Sequence, residues 1–166
     1  MISTILPIRI EMEIIHVKTA KHLDETRQLF REYENFLGVD LCFQGFEEEL
    51  ARLPGEYASP KGSLLLAVDG KNTAGCVALR PFNGDVCEMK RLYLRSEYRG
   101  VGLGRKLAKK IIEKAERIGY SSMWLDTFEN LKEAVGLYES LGFKRVNPYY
   151  NNPLPGVIYW ELQLKE

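Results

Sequence analysis

Between residues 99 and 105 the chain reads Arg99-Gly100-Val101-Gly102-Leu103-Gly104-Arg105, and no other segment restricts the fold as tightly. Alternate glycines allow a turn that Cβ-bearing residues resist, and they let the backbone approach a ligand closely. Upstream, Val86–Leu94 reads as a strand. Downstream, Leu103, Leu107, Ala108, Ile111, Ala115 and Ile118 recur at helical spacing, and Gly119 stands where a helix ends. The segment is therefore a strand–turn–helix junction. A helix start leaves its first N–H groups unpaired at the positive end of the helix dipole. Such a junction cradles phosphate oxygens, and Arg99, Arg105 and Lys106 add charge beside it. A phosphate-bearing ligand is expected. The alternative, a ligand-free glycine turn, spends conformational entropy and gains no packing.

Spacing narrows the ligand. A Walker A loop needs Gly-Lys followed by Ser or Thr, whereas Gly104 is followed by Arg105-Lys106-Leu107. In a dinucleotide fingerprint the third glycine would fall at 105, which is arginine. Asp126 does lie downstream where a ribose-binding acid could sit. The strand before the turn, however, leaves a hairpin and not a βαβ series. The turns Asp69-Gly70-Lys71 and Asn83-Gly84-Asp85 separate the apolar runs Leu64–Val68, Thr73–Leu79 and Val86–Leu94, which predicts an antiparallel meander. Ahead of it, Ile10–Val17 reads as a strand, Asp24–Leu37 as a helix and Phe46–Leu53 as a short helix. After the glycine turn come strand Ser122–Thr127, a helical stripe Leu131/Ala134/Val135/Tyr138/Leu141 closed by Gly142, and strands Phe143–Val146 and Val157–Leu164. The fold class is α+β, a mixed sheet with helices packed on it.

Charge is balanced, with 23 Lys+Arg and 23 Asp+Glu, so the molecule as a whole is no polyanion binder and no nucleic-acid partner is expected. The balance breaks locally: residues 90–117 carry 10 basic and 3 acidic side chains. This block either focuses an anionic ligand or is a solvated helix face. Cys42, Cys76 and Cys87 have no paired spacing, which fits free thiols in a reducing cytoplasm and gives no metal cluster. No apolar run approaches the ~20 residues of a membrane span. The opening residues make a poor signal peptide. One domain over residues 12–164 is expected, with residues 1–11 a loose extension.

In these residues the chain resembles the GNAT superfamily of N-acetyltransferases. Arg99-Gly100-Val101-Gly102-Leu103-Gly104 matches its Arg/Gln-x-x-Gly-x-Gly/Ala signature, and Glu88–Leu94 has the form of the strand that precedes it. Ala134-Val135-Gly136-Leu137-Tyr138-Glu139-Ser140-Leu141-Gly142-Phe143 resembles its second motif, at the expected separation. The resemblance covers residues 62–164 well and 12–54 loosely. It implies a mostly antiparallel twisted sheet with splayed central strands, and acetyl-CoA as acyl donor. The pyrophosphate would lie on the amides of Val101–Arg105, and the pantetheine arm would pair with the backbone of Leu92, Tyr93 and Leu94. Cofactor contacts are thus expected at Leu92, Tyr93, Leu94, Arg99, Gly100, Val101, Gly102, Leu103, Gly104 and Arg105. Asn130 falls one place from the position of the family's usual asparagine, now Leu131, which leaves that contact open. The resemblance also allows a homodimer.

The implied reaction is direct acetyl transfer to an amine. It needs a base for the amine, polarisation of the thioester carbonyl and an acid for the leaving thiolate. Tyr138 occupies the family's acid position, although it also falls on an apolar stripe and could be packed core. For the base, Glu88 on the cofactor strand comes first, with Asp126 and water as alternatives and a paired structural acid as the competing reading of Glu88. The acceptor is unnamed by the sequence. The Asn147–Pro153 loop could close over it or be a plain surface turn, and Arg31, Glu32, Glu34, Asp40 and Arg80 could read a charged acceptor or be solvated faces. His16 and Trp124 fit structural roles. Two other readings remain: a catalytically silent acyl-CoA-binding module and a basic-helix polyanion binder.

Overall fold

The computed structural model describes residues 12–165; the expected loose extension, residues 1–11, lies outside them. Seven strands form one sheet: β1 (Met12–His16), β2 (Ser63–Asp69), β3 (Asn72–Asn83), β4 (Val86–Leu94), β5 (Ser122–Phe128), β6 (Lys144–Val146) and β7 (Val157–Gln163). Their spatial order is β1-β2-β3-β4-β5-β7-β6. Every neighbouring pair is antiparallel except β4 and β5. Four helices flank the sheet: α1 (Ala20–Leu37), α2 (Phe46–Arg52), α3 (Leu103–Ile118) and α4 (Lys132–Ser140). This is the mixed α+β sheet expected from the hairpin turns and the two apolar helical stripes.

Two elements reach several residues beyond the sequence reading. Helix α1 begins at Ala20, not Asp24, because Thr19 caps it: its side chain accepts from the His22 amide at 3.1 Å, and His22 Nδ1 accepts from the Thr19 amide at 3.4 Å. Histidine performs the returning half of a capping box usually made by Glu or Gln. Strand β3 continues past Leu79 through Pro81, where a register shift in its pairing with β4 accommodates an imino acid that cannot donate.

Strands β2 and β3 are buried on both faces, so Leu64–Val68 and Ala74–Leu79 read as continuous runs without charge and not as alternating ones. In β2, Leu65 and Ala67 face the core of α3 and α4, while Leu64 and Leu66 face the core of α1 and α2. The first core is built around Leu107, Ile111, Met123 and Trp160, the second around Leu29, Phe30, Phe46 and Leu50.

One irregularity organises the middle of the sheet. Cys76 and Ala78 of β3 oppose Tyr93 and Lys90 of β4, so one residue on β3 faces two, Arg91 and Leu92, on β4. Arg91 takes a left-handed backbone, φ 59°, rare for a residue with a long side chain. Its guanidinium is buried and held firmly: Nε and Nη2 donate to the two Glu49 oxygens at 3.0 Å, Nη2 also donates to Gln44 Oε1 at 3.0 Å, and the Phe46 ring lies 5.3 Å away. The bulge bends β4 away from β5. Parallel pairing runs only from Val86↔Ser122 to Glu88↔Trp124, and the strands splay beyond it. Gly75 permits the tight β3–β4 approach on the far side, because a Cβ there would lie 2.5 Å from the Tyr93 carbonyl oxygen.

Glu49 and Glu47 sit on the same helix but in opposite situations. Glu49 is mostly buried against Arg91, its side chain 13% exposed, whereas Glu47 pairs with Arg31 in solvent. Removing one partner of a buried pair leaves an uncompensated charge. Glu49→Ala is therefore expected to lower the unfolding free energy by about 3 kcal/mol, and Glu47→Ala to leave the urea midpoint nearly unmoved. Equal midpoints for the two variants would overturn the assignment of Arg91–Glu49 as the clamp of the bulge.

Candidate active site

The splay between β4 and β5 opens into a groove of about 720 Å³ that runs to the start of α3. Its floor is made by Leu92, Tyr93 and Leu94, one end by Arg99, Gly100, Gly102, Leu103, Gly104 and Arg105, and the far wall by Asn130 and α4. Nearly all the residues expected to contact a cofactor are thus brought together. Val101 is the exception: its side chain stands out at the tip of the turn, 72% exposed. Gly100 and Gly102 both have φ 83°, a left-handed conformation that glycine adopts without strain.

No side chain caps α3, and its first intrahelical bond runs from the Lys106 amide to the Gly102 carbonyl. The amides of Leu103, Gly104 and Arg105, residues that line the groove, have no acceptor within the helix, as a site for an anionic oxygen requires. Arg105 reaches across to donate to Ser140 Oγ, tying α3 to the end of α4. Arg99 donates to the Leu94 carbonyl at 2.9 Å, and its guanidinium lies 4.5 Å from the Phe36 ring and 5.6 Å from that of Tyr93. Past Glu88, the β4 edge that faces β5 has no partner strand among the described residues.

A second, more enclosed cavity of about 40 Å³ lies deeper in the splay, bordered by Gln44, Lys90, Arg91, Asp126, Asn152 and Tyr138 among others. Tyr138 borders both cavities. Its ring packs edge-on to Phe143, with centroids 5.7 Å apart, so the apolar stripe and the position between the cavities are both real. Burial, with Tyr33 and Asp126 nearby, pushes its phenol above the ordinary range, which keeps the proton on the oxygen. Asp126 Oδ2 accepts from the Tyr150 hydroxyl, which itself accepts from Gln44 Nε2 at 3.2 Å and Asn152 Nδ2 at 2.8 Å. The proline-rich loop thus turns two polar side chains inward, held by Tyr149 and Tyr150 packed on Tyr159.

Glu88 is placed otherwise than expected for a base. It is fully buried, and both of its oxygens are engaged: Oε1 accepts from Arg80 Nη2 at 2.7 Å and Oε2 accepts from the Tyr149 hydroxyl. It borders neither cavity. The other charged candidates are likewise used by the fold. Arg31 pairs with Glu47, Glu32 with Arg95 and Arg80 with Glu56 and Glu88, while Glu34 and Asp40 accept from the Leu41 and Cys42 amides. His16 stands 3.5 Å from Ser63, and Trp124 donates to Glu161 and packs 4.7 Å from Tyr149.

The profile of the Acetyltransferase (GNAT) family matches residues 23–143. The chain belongs to this family. An uncharacterized N-acetyltransferase of Schizosaccharomyces pombe is 48% identical over 157 residues, covering 93% of this chain and 96% of that one. The GNAT fold is found again in an acetyltransferase of Streptococcus agalactiae (TM-score 0.77, 23% identity, 92% of this chain and 98% of that one). The PaiA N-acetyltransferase of Thermoplasma acidophilum, solved in complex with coenzyme A, also shares it (TM-score 0.72, 17% identity, 92% and 99%).

Within the GNAT frame, sequence reasoning missed Gln44, Lys90 and Arg91 as residues of the inner cavity. A signal was present: Lys90 and Arg91 interrupt an apolar strand, and charges are almost never buried unless paired. The Arg80–Glu88 pair is structural in this geometry. Glu88→Gln is expected to lower the unfolding free energy by about 2–3 kcal/mol, less than a fully buried pair because Arg80 is 25% exposed. An unchanged urea midpoint would remove that role.

Proposed function

We propose that this protein transfers the acetyl group of acetyl-CoA to a small amine, with Tyr138 as the acid and Asp126 as the base. The observation that carries this reading is the position of Tyr138, whose side chain borders the groove on one side and the inner cavity on the other. The groove suits the donor: it offers unpaired amides and left-handed glycines at one end and an unpartnered strand edge along its floor. When bound, acetyl-CoA supplies the acetyl thioester. The amides before Lys106 would hold its diphosphate, and the free edge of β4 would hold its pantetheine arm.

The chain's own residues then divide the proton work. Asp126 has one oxygen occupied by Tyr150 and the other turned toward Lys90 at 3.9 Å, beyond hydrogen-bonding distance. That second oxygen takes a proton from the acceptor ammonium. As the nitrogen–carbon bond forms and the carbon–sulfur bond breaks, Tyr138 gives its phenolic proton to the departing sulfur. It regains one from the nitrogen as the amide forms, and Asp126 releases its proton to solvent. Glu88, closed off between Arg80 and Tyr149, supports the wall instead.

Two measurements test the reading. Acetyl-CoA at a hundredfold excess over its Kd should stabilise the folded protein by about 2.7 kcal/mol, and Gly102→Val, which puts a β-branched residue at φ 83°, should abolish that protection. Tyr138→Phe should lower kcat by roughly 10²-fold or more with acetyl-CoA affinity unchanged, and Asp126→Asn should also lower kcat. Full turnover in Tyr138→Phe would remove the acid assignment. Binding that falls steeply with salt but ignores Gly102→Val would favour a polyanion binder.

A further inference from the structure

We propose that the acceptor is an amino acid, its carboxylate taken by Lys90 and its amine held against Asp126. The proposal rests on the reading of the groove as the acetyl-CoA site. The evidence is the contrast between Lys90 and the other cations of the interior. Arg91 donates three hydrogen bonds at 3.0 Å, to both Glu49 oxygens and to Gln44, and lies over the Phe46 ring. Arg80 has Glu88 at 2.7 Å and Glu56 at 2.8 Å.

Lys90 is as deeply buried as Arg91, with 5% of its side chain exposed, yet among the described residues its ammonium meets only Gln44 Oε1 at 3.4 Å and Asp126 Oδ1 at 3.9 Å. An ammonium carries three donors, and the Gln44 oxygen already accepts from Arg91 at 3.0 Å. A buried cation this loosely paired is costly to keep. Such a site is economical when a ligand completes it.

The opposite charge lies beside it with the same deficit. Asp126 Oδ2 is occupied by Tyr150, while Oδ1 faces Lys90 across a gap too long for a hydrogen bond. Both groups border the inner cavity, and Tyr138 stands between that cavity and the groove. An under-coordinated ammonium next to an under-coordinated carboxylate is the complement of an amino acid's own carboxylate and ammonium. Lying across the two groups, the ligand adds a close contact to each of a loosely paired couple and sets its nitrogen on the base. The same arrangement selects against other amines. A polyamine would bring its second cation onto Lys90, and an amine without a carboxylate would leave Lys90 unpaired in a desolvated site. A protein lysine side chain likewise brings no carboxylate to Lys90.

The test is a thiol-release assay with acetyl-CoA on the full chain. It uses a panel of α-amino acids, each matched with its decarboxylated amine and its carboxamide. For at least one amino acid, kcat/KM should exceed that of both matched compounds by roughly 100-fold or more, since a site built around a buried polar group rejects ligands that leave it unpaired. Lys90→Met should shrink that ratio to about tenfold or less, mainly through KM, with thermal protection by acetyl-CoA retained. Lys90→Arg should restore part of the ratio. Should the Met variant fail to fold, the wild-type ratio decides alone.

Equal or better use of the carboxylate-free amines overturns the proposal. So does an acetyl-CoA-protected protein that neither consumes an amino acid nor gains thermal protection from one when loaded with CoA. Either result leaves the donor reading standing. Absence of any protection by acetyl-CoA defeats the donor reading first and this inference with it.

Discussion

A single extra residue in β4, held by a buried ion pair, sets the geometry on which the rest of the molecule depends. Arg91 sits in a left-handed conformation that costs about 1–3 kcal/mol and persists only where the surroundings over-determine it. Here they do: Glu49 from α2, Gln44 from the preceding 3-10 turn and the Phe46 ring all converge on its guanidinium. Because the strand bulges at that point, β4 cannot keep register with β5, and their pairing ends at Glu88↔Trp124. A continuous sheet would have no opening in its middle. This one has a groove on the α3 side and a polar cavity beneath it.

The charges of the interior fall into two groups with different consequences. Arg80, Glu88, Arg91 and Glu49 are saturated by close partners and hold elements together. Lys90 and Asp126 remain partly open, and both border the inner cavity. Tyr150 belongs to both groups: packed on Tyr159, it also fixes one oxygen of Asp126 and so turns the other toward the cavity. Stability and recognition thus draw on neighbouring positions of one strand, with Glu88 and Arg91 closed and Lys90 between them.

Much of the fold was legible from short-range signals. Asp-Gly and Asn-Gly turns located the meander, and the apolar stripes of α3 and α4, each followed by a glycine, located the two later helices. The glycine turn located the groove end almost residue for residue. The less legible features depend on partners far apart in the chain. The sequence left Glu88 open between a base and a paired acid, because the groups that close it off are Arg80, eight residues earlier, and Tyr149, sixty-one later. Lys90 gave the same signal as any charged residue in a strand until the gap to Asp126 was known.

By itself the sequence determined the elements, the strand–turn–helix cradle and the tyrosine of the second motif. Those features arise from backbone preferences and periodicities that act within a few residues. Only the tertiary structure decided which carboxylate faces the cavity and which cation is left under-coordinated. Whether a buried charge is satisfied depends on distances between elements such as β4, β5 and the proline-rich loop, and local sequence carries no record of those distances.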